Sequence, residues 1–405
     1  MAKLDQSKLS RVSDWMQRYV DDSRFAGSSV LIHQGGEEVY FHATGLRDLT
    51  DSLPFERDTV ARIYSMTKPV TSVALMMLVE RGLLHLDAPL SQFIPEFSDC
   101  HALVPDAQDI SQTEPCACPT VHQLLTHTSG LSYPFNPGVL GRAMMEQDLV
   151  FKPNQGALGD LCKTLAGYPL AFHPGQKWEY SVGIDVIGRV IEVVTGQTLA
   201  QALHDMILGP LGMTETGFSV PDQALDRFAS LYTPLAGNAM DLNSAKAGAE
   251  TLRCVDRTEK SPFLDAKMHS GGGGLVGTID DYMKFTEMLR GGGALGGVRL
   301  LSASTMSFML RNHLDGDIAS MGPSSFAEQP MDGMGFGIGG AVVLDPARAR
   351  CPGSVGDFSW GGMASTFFWV DPVHDISVVF FTQLSPSSSY PARPELKAII
   401  HGALS

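Results

Sequence analysis

Strand-like runs are concentrated at the two ends of this 405-residue chain, and that distribution decides what it can fold into. Near the start, Ser28-Ser29-Val30-Leu31-Ile32-His33 and Val39-Tyr40-Phe41 flank Gln34-Gly35-Gly36, a spacing that predicts a hairpin. Near the end, Ala341-Val342-Val343-Leu344, residues 367–370 and Ile376-Ser377-Val378-Val379-Phe380-Phe381 recur between turn-rich segments, with Asp371-Pro372 opening one turn. The two ends are therefore expected to build one antiparallel sheet. Val12, Trp15, Met16, Tyr19 and Val20 recur at helical spacing ahead of the first strand and predict a helix there. The middle shows helical periodicity broken by Pro/Gly loops and few strand runs. The expectation is an α+β molecule: a discontinuous sheet domain (1–90 and 255–405) flanked by terminal helices, with an all-helical domain (91–254) inserted.

Ser65-Met66-Thr67-Lys68 lies close to the seam between these parts. A serine hydroxyl is a poor nucleophile near neutral pH and needs a neighbour to take its proton. The residues after Lys68 (Val70, Val73, Ala74, Leu75, Leu78, Val79) carry apolar groups at helical spacing, so Ser65 and Lys68 fall one turn apart on the same face. Pro69 is tolerated in a first turn, where free N–H groups favour developing negative charge. A Ser-x-x-Lys spacing arises by chance about once in a chain of this length, so alone it says little.

Two further motifs change that. Pro174-Gly175-Gln176-Lys177-Trp178-Glu179-Tyr180-Ser181 reads as a turn leading into the apolar helical run Val186-Ile187-Val190-Ile191-Val193-Val194, with Tyr180 at the junction. A tyrosine held near Lys68 could shuttle a proton between Ser65 and a leaving group; the alternative is a ring packed on the core with a wet hydroxyl. Residues 358–370, Phe358-Ser359-Trp360-Gly361-Gly362-Met363 onward, read as a strand entered through glycines. Glycines let a ligand approach the backbone, and the N–H groups of Met363 and Ser65 are the natural pair for an oxyanion hole; a bulge is the alternative reading.

With these motifs the chain resembles the serine β-lactamase-like hydrolases, specifically the esterase branch called family VIII carboxylesterases. Leu124-Leu125-Thr126-His127-Thr128-Ser129-Gly130-Leu131, Pro210-Leu211-Gly212-Met213 and Ser270-Gly271-Gly272-Gly273-Gly274-Leu275 are similar to stretches of that superfamily, in the same order. The resemblance implies a β-lactamase-like fold, with Ser65 as nucleophile and Lys68 and Tyr180 as the acid/base pair. It sets Trp360-Gly361-Gly362 where class C β-lactamases and penicillin-binding proteins carry Lys-Thr-Gly, and makes Tyr133 a substrate-pocket residue. Val182 stands where a β-lactamase of this type carries the asparagine of Tyr-x-Asn, and Trp360 replaces a lysine. Both departures favour neutral esters over anionic lactams. No Gly-x-Ser-x-Gly elbow surrounds a serine of interest, which argues against an α/β-hydrolase.

The expected function is a carboxylesterase acting on small, short-acyl esters through an acyl-enzyme on Ser65, with no cofactor and no metal. Whether Lys68 or Tyr180 is the acylation base stays open. A peptidase or amidase, a weak β-lactamase, or a non-catalytic penicillin-binding sensor on the same scaffold are the rivals.

The remaining sequence narrows partners and location. No apolar run is long enough to span a bilayer and no secretory signal is evident, so a cytoplasmic location is expected. A formal charge of -15 disfavours nucleic acid and anionic membrane surfaces, and the resemblance implies a small-molecule ester as partner; no oligomeric state is specified. The six cysteines are expected to be reduced, with free thiols in loops preferred over a metal site built from Cys116, Cys118, His122 and His127. The glycines at 271–274 read as a turn before a helix capped by Thr278. Residues 321–334, rich in Gly, Pro and Met, read as a mobile loop rimming the pocket.

Overall fold

The computed structural model describes residues 2–149, 152–234, 252–327 and 329–405. Along the chain run helix α1 (Gln6–Asp21), strands β1 (Gly27–Gln34), β2 (Glu37–Asp48) and β3 (Leu53–Pro54), and helices α2 (Thr67–Glu80), α3 (Gly183–Thr195) and α4 (Ile279–Arg290). Strands β4 (Met334–Phe336), β5 (Ala341–Val343), β6 (Phe358–Gly361), β7 (Phe367–Asp371) and β8 (Ile376–Thr382) follow, and helix α5 (Ala392–His401) ends the chain. The sheet order is β4-β5-β6-β7-β8-β1-β2-β3, antiparallel at every step. The two chain ends meet where β1 pairs with β8, from Ser28 opposite Thr382 to Gln34 opposite Ile376.

Alternation sends successive side chains to opposite faces of this sheet, and both faces are covered. Val30, Ile32, Trp369, Val378 and Phe380 pack under α1 and α5, against Val12, Trp15, Met16, Leu396 and Ile400. Leu31, Phe368, Val379 and Phe381 point the other way, into the core that holds α4 and α2. Double burial explains why the inner strands read as unbroken apolar runs. Asp5 caps α1 by accepting from the Ser7 amide, and Thr278 caps α4 as expected. In α2 every residue from 67 to 78 is buried, the signature of a helix with core on all sides. Its partners include Val186 and Ile187 of α3 as well as sheet residues, so one core runs through both halves of the molecule.

Three expectations need correction. Residues 358–370 are not one strand: β6 ends at Gly361, and a turn closed by the Gly362 amide on the Thr366 carbonyl (2.7 Å) leads into β7. The inserted region is not purely helical, because His101–Leu103 pairs with Thr113–Pro115 and Leu231–Thr233 with Arg253–Asp256. Its C-terminal part also reaches the sheet side, through bridges from Phe228 to Val60 and from Tyr232 to Leu384. Residues 150–151 and 235–251 of that region lie outside the described residues. Finally, the segment 321–334 carries a small hairpin, Ser325–Phe326 against Gln329–Pro330. Among the described residues no helix is long and apolar enough to cross a membrane.

Candidate active site

Ser65 sits in a single 3-10 turn, Tyr64–Met66, that runs straight into α2. Tyr64 holds φ at 41°, a left-handed conformation unusual for a residue with a side chain. The turn is pinned from several sides: the Ile63 amide donates to the Leu275 carbonyl (3.2 Å), Tyr282 of α4 donates to the Met66 carbonyl (2.8 Å), and Thr67 accepts from the Leu275 amide (3.1 Å). Such over-determination is what keeps a strained turn in place.

Lys68, one helical turn on, is fully buried. Its Nζ lies 3.1 Å from Ser65 Oγ, 3.1 Å from the Tyr133 hydroxyl and 2.7 Å from the Gly272 carbonyl oxygen. Tyr180 reaches Ser65 from the other side, its hydroxyl donating to Oγ at 2.6 Å. The residue immediately precedes the turn into α3, and its ring is wedged between His127 (centroids 4.9 Å apart), Tyr133 (5.1 Å), Phe326 (4.8 Å) and Trp360 (5.4 Å). Its carbonyl accepts from the Asn136 side chain at 2.7 Å. Both the ring and the backbone of Tyr180 are therefore fixed, which sets where its hydroxyl points.

The glycines at 271–274 do more than turn the chain. A Cβ on Gly272 would lie 2.5 Å from Asp185 Oδ2, and one on Gly271 would lie 2.7 Å from the Ile184 carbonyl oxygen, so the loop can press onto the start of α3 only without side chains. Asp185 receives it, Oδ1 accepting from the Gly272 amide (3.1 Å) and from the Ser270 hydroxyl. Burial pushes the Asp185 carboxyl up from the ordinary aspartate value, and the nearby Lys68 charge opposes that push. The Tyr133 hydroxyl is held well above its ordinary pKa, by burial first and then by Asp185 and Tyr180, so Tyr133 stays a neutral partner of Lys68.

Met363 belongs to the turn after β6 rather than to a strand. The amides of Ser65 and Met363 donate to no protein acceptor among the described residues. Gly362 lets the end of β6 close on the Ser65 turn, since a Cβ there would lie 2.3 Å from the Ile63 carbonyl oxygen. Ser65, Tyr133, Tyr180, Val182, Trp360 and Met363 all line one cavity of about 520 Å³, with Gly361, Gly362 and Phe326 beside them. Each residue singled out from the sequence thus lines this cavity or, for Lys68, bonds to a group that does. An activated hydroxyl, two proton carriers and two free amides facing an apolar space can carry out acyl transfer.

Sequence reasoning missed Asp185, the Gly272 carbonyl and Phe326. Asp185 had a signal, as an acid at the start of the apolar run that becomes α3; a backbone carbonyl has none. The grouping of Cys116, Cys118, His122 and His127 does not converge: His122 Nε2 faces His313 Nδ1 at 3.1 Å, and His127 Nδ1 accepts from the Ser181 amide at 3.3 Å. All six cysteines are unbridged.

Comparison with known proteins shows the family. The β-lactamase family model matches residues 12–401. Protein Rv1367c of Mycobacterium tuberculosis is 35% identical, covering 92% of this chain and 89% of that protein. Esterase EstB of Burkholderia gladioli is 32% identical, covering 94% and 91%. The solved structure of EstCE1, described as a hydrolase with promiscuous acyltransferase activity, superposes with a TM-score of 0.78 at 28% identity over 98% of both chains.

Proposed function

The chain belongs to the β-lactamase family, in its esterase branch, and from that premise we propose that it is a carboxylesterase that cleaves short-acyl esters through an acyl-enzyme on Ser65. The observation that carries this reading is the Tyr180 hydroxyl 2.6 Å from Ser65 Oγ, with Lys68 Nζ 3.1 Å away. Ser65 attacks the ester carbonyl as its proton passes to whichever member of the Lys68/Tyr180 pair is deprotonated in the reactive form, the Lys68 amine or the Tyr180 phenolate. Negative charge on the carbonyl oxygen is taken up by the N–H groups of Ser65 and Met363. Tyr180 returns a proton to the departing alcohol, and water then releases the acid by the reverse sequence. Asp185 and Gly272 hold Lys68 in place. The site forms at the seam of two proposed domains, the helical insert giving Tyr133 and Tyr180 and the sheet giving Trp360 to Met363.

Substrate class follows from the walls. Val182 and Trp360 both line the cavity, so the two positions that in a β-lactamase supply the amide and the lysine for a lactam supply neither here; the cations that line the cavity are Lys152 and Arg393, from other elements. Trp360, Phe326 and Tyr180 form an aromatic wall that suits a short apolar acyl group; Phe326 and Trp360 stack at 5.9 Å with ring planes 13° apart. A cavity of about 520 Å³ lies within the range of roughly 300–1,000 Å³ found for sites of drug-sized ligands, leaving room for an alcohol larger than the acyl part. EstB, named an esterase, supports the same reaction. The test is a panel of p-nitrophenyl esters of increasing acyl length, an amino-acid p-nitroanilide and nitrocefin; acetate and butyrate esters should lead, and a leading anilide would assign the chain to the amidases.

A further inference from the structure

A second cluster lies at the opposite end of β7 from the turn that bears Met363. The Asp371 carboxylate, with no exposed side-chain surface, ends this strand. Its Oδ1 accepts the amides of Val373 (2.8 Å) and His374 (3.1 Å), which fixes the carboxylate plane. Oδ2 is thereby turned toward two imidazoles, His374 Nδ1 at 2.7 Å and His401 Nε2 at 3.1 Å. Ser354 Oγ donates to the same oxygen at 2.9 Å and lies 3.1 Å from His374 Nδ1.

The orientation of His401 is the informative part. Its Nδ1 lies 2.9 Å from the Lys397 carbonyl oxygen, which can only accept, so Nδ1 carries a proton. In a neutral ring Nε2 then turns a lone pair at a carboxylate oxygen, and two acceptors face each other in a buried place. Only a positive charge between them relieves that conflict. An imidazole anchored through one N–H on a backbone carbonyl, its other nitrogen converging with a second imidazole and a carboxylate, is how histidine binds metals.

We propose that Asp371, His374 and His401 form a binding site for one divalent ion of the zinc class. The three ligand atoms lie within 4.8 Å of one another. Bonds of about 2.0–2.1 Å to nitrogen and oxygen in a tetrahedral site set neighbouring ligand atoms ~3.3 Å apart, against 2.7 and 3.1 Å from Oδ2 to the two nitrogens. Two nitrogens and one oxygen suit zinc better than magnesium or calcium. His374 and His401 line a surface cavity of about 530 Å³, which gives the ion an entry path. The ligands come from β7, the β7–β8 turn and the last turn of α5, so the ion ties the C-terminal helix to the sheet, away from Ser65.

Chelator-stripped protein is titrated with Zn²⁺ by calorimetry and with Co²⁺ by visible absorption. One ion per chain is expected, with a tetrahedral Co²⁺ spectrum and a Tm that rises with Zn²⁺. His374→Ala and His401→Gln should each weaken binding at least tenfold, and the double variant should abolish it. In chelator both single variants should unfold cooperatively, showing that they fold without metal. His122→Asn/His313→Asn, which removes the other imidazole pair, should bind as the parent does. No stoichiometric binding by the parent protein, or binding retained by the His374→Ala/His401→Gln double variant, would overturn the site and leave the cluster as an ion-paired imidazolium.

Discussion

The hydroxyl of Tyr180 lies 2.6 Å from Oγ of Ser65 and donates to it, across 115 residues of sequence. The contact is held by the aromatic packing around Tyr180 rather than by the hydroxyl itself, so ring and hydroxyl can be separated by mutation.

Tyr180→Phe keeps the packing and removes only the proton carrier. The kcat for p-nitrophenyl butyrate should fall by about 10²–10⁴-fold, the usual worth of a general acid or base, with KM and Tm nearly unchanged. Steady-state kinetics and a thermal melt check this. A variant with near-parental kcat would reduce Tyr180 to a packing residue.

The Gly272 carbonyl oxygen is 2.7 Å from Lys68 Nζ, and a Cβ at Gly272 would collide with Asp185. Gly272→Ala should therefore displace the loop and with it Lys68, costing on the order of 10²-fold in kcat, as misplacements of about 1 Å do. Gly273→Ala, whose Cβ would meet nothing nearer than 3.8 Å, should cost far less. Equal losses in the two variants would mean that the loop acts only through its space in the cavity.

What could be read from the sequence was local or periodic. Ser65 and Lys68 share a helix face by spacing, Tyr180 stands at a turn–helix junction, and the doubly buried strands around Val30 and Val378 announce themselves by their apolar runs. Shape made without such a signature stayed hidden. The turn between Gly361 and Phe367 is embedded in an aromatic-rich stretch, its left-handed residue is Ser365 (φ 62°) rather than a glycine or asparagine, and Gly361-Gly362 at its start read equally well as the entry to a strand. The hairpin at 325–330 has two residues per strand, too few to alternate. The hold of Gly272 on Lys68 uses a backbone atom, which any residue would supply, and only the need to clear Asp185 makes it a glycine.

His127 is buried among Trp178, Tyr180 and Phe336, and burial, with the charge of Lys68, holds its imidazole well below the ordinary 6.5. Native His127 therefore refuses a proton that the unfolded chain accepts, and stability is lost as pH falls below 6.5 toward the depressed native value. This one group contributes up to about 1.4 kcal/mol per pH unit. His127→Asn, suited to the positive φ of 58° there, should lower stability overall but flatten the acid limb of urea midpoint against pH. An acid limb equally steep in parent and variant would show that His127 is protonated in the fold.

Val182 and Trp360 give the cavity neither an amide nor a charge for a lactam, and lost contacts of this kind are worth a few kcal/mol. Hydrolysis of p-nitrophenyl acetate or butyrate should exceed that of nitrocefin and benzylpenicillin in kcat/KM by a wide margin, with slow lactam turnover tolerated. Lactam values equal to or above the ester values would place the chain with the β-lactamases in function as well as family.

The most direct measurement is covalent. Protein treated with a fluorophosphonate and digested for mass spectrometry should carry a single adduct, on Ser65, with ester hydrolysis lost in proportion to labelling. Ser65→Ala and Lys68→Ala should each lose activity by several orders of magnitude while unfolding cooperatively as the parent does. An adduct on any other serine, together with an active Ser65→Ala protein, would contradict the acyl-enzyme on Ser65 and everything built on it.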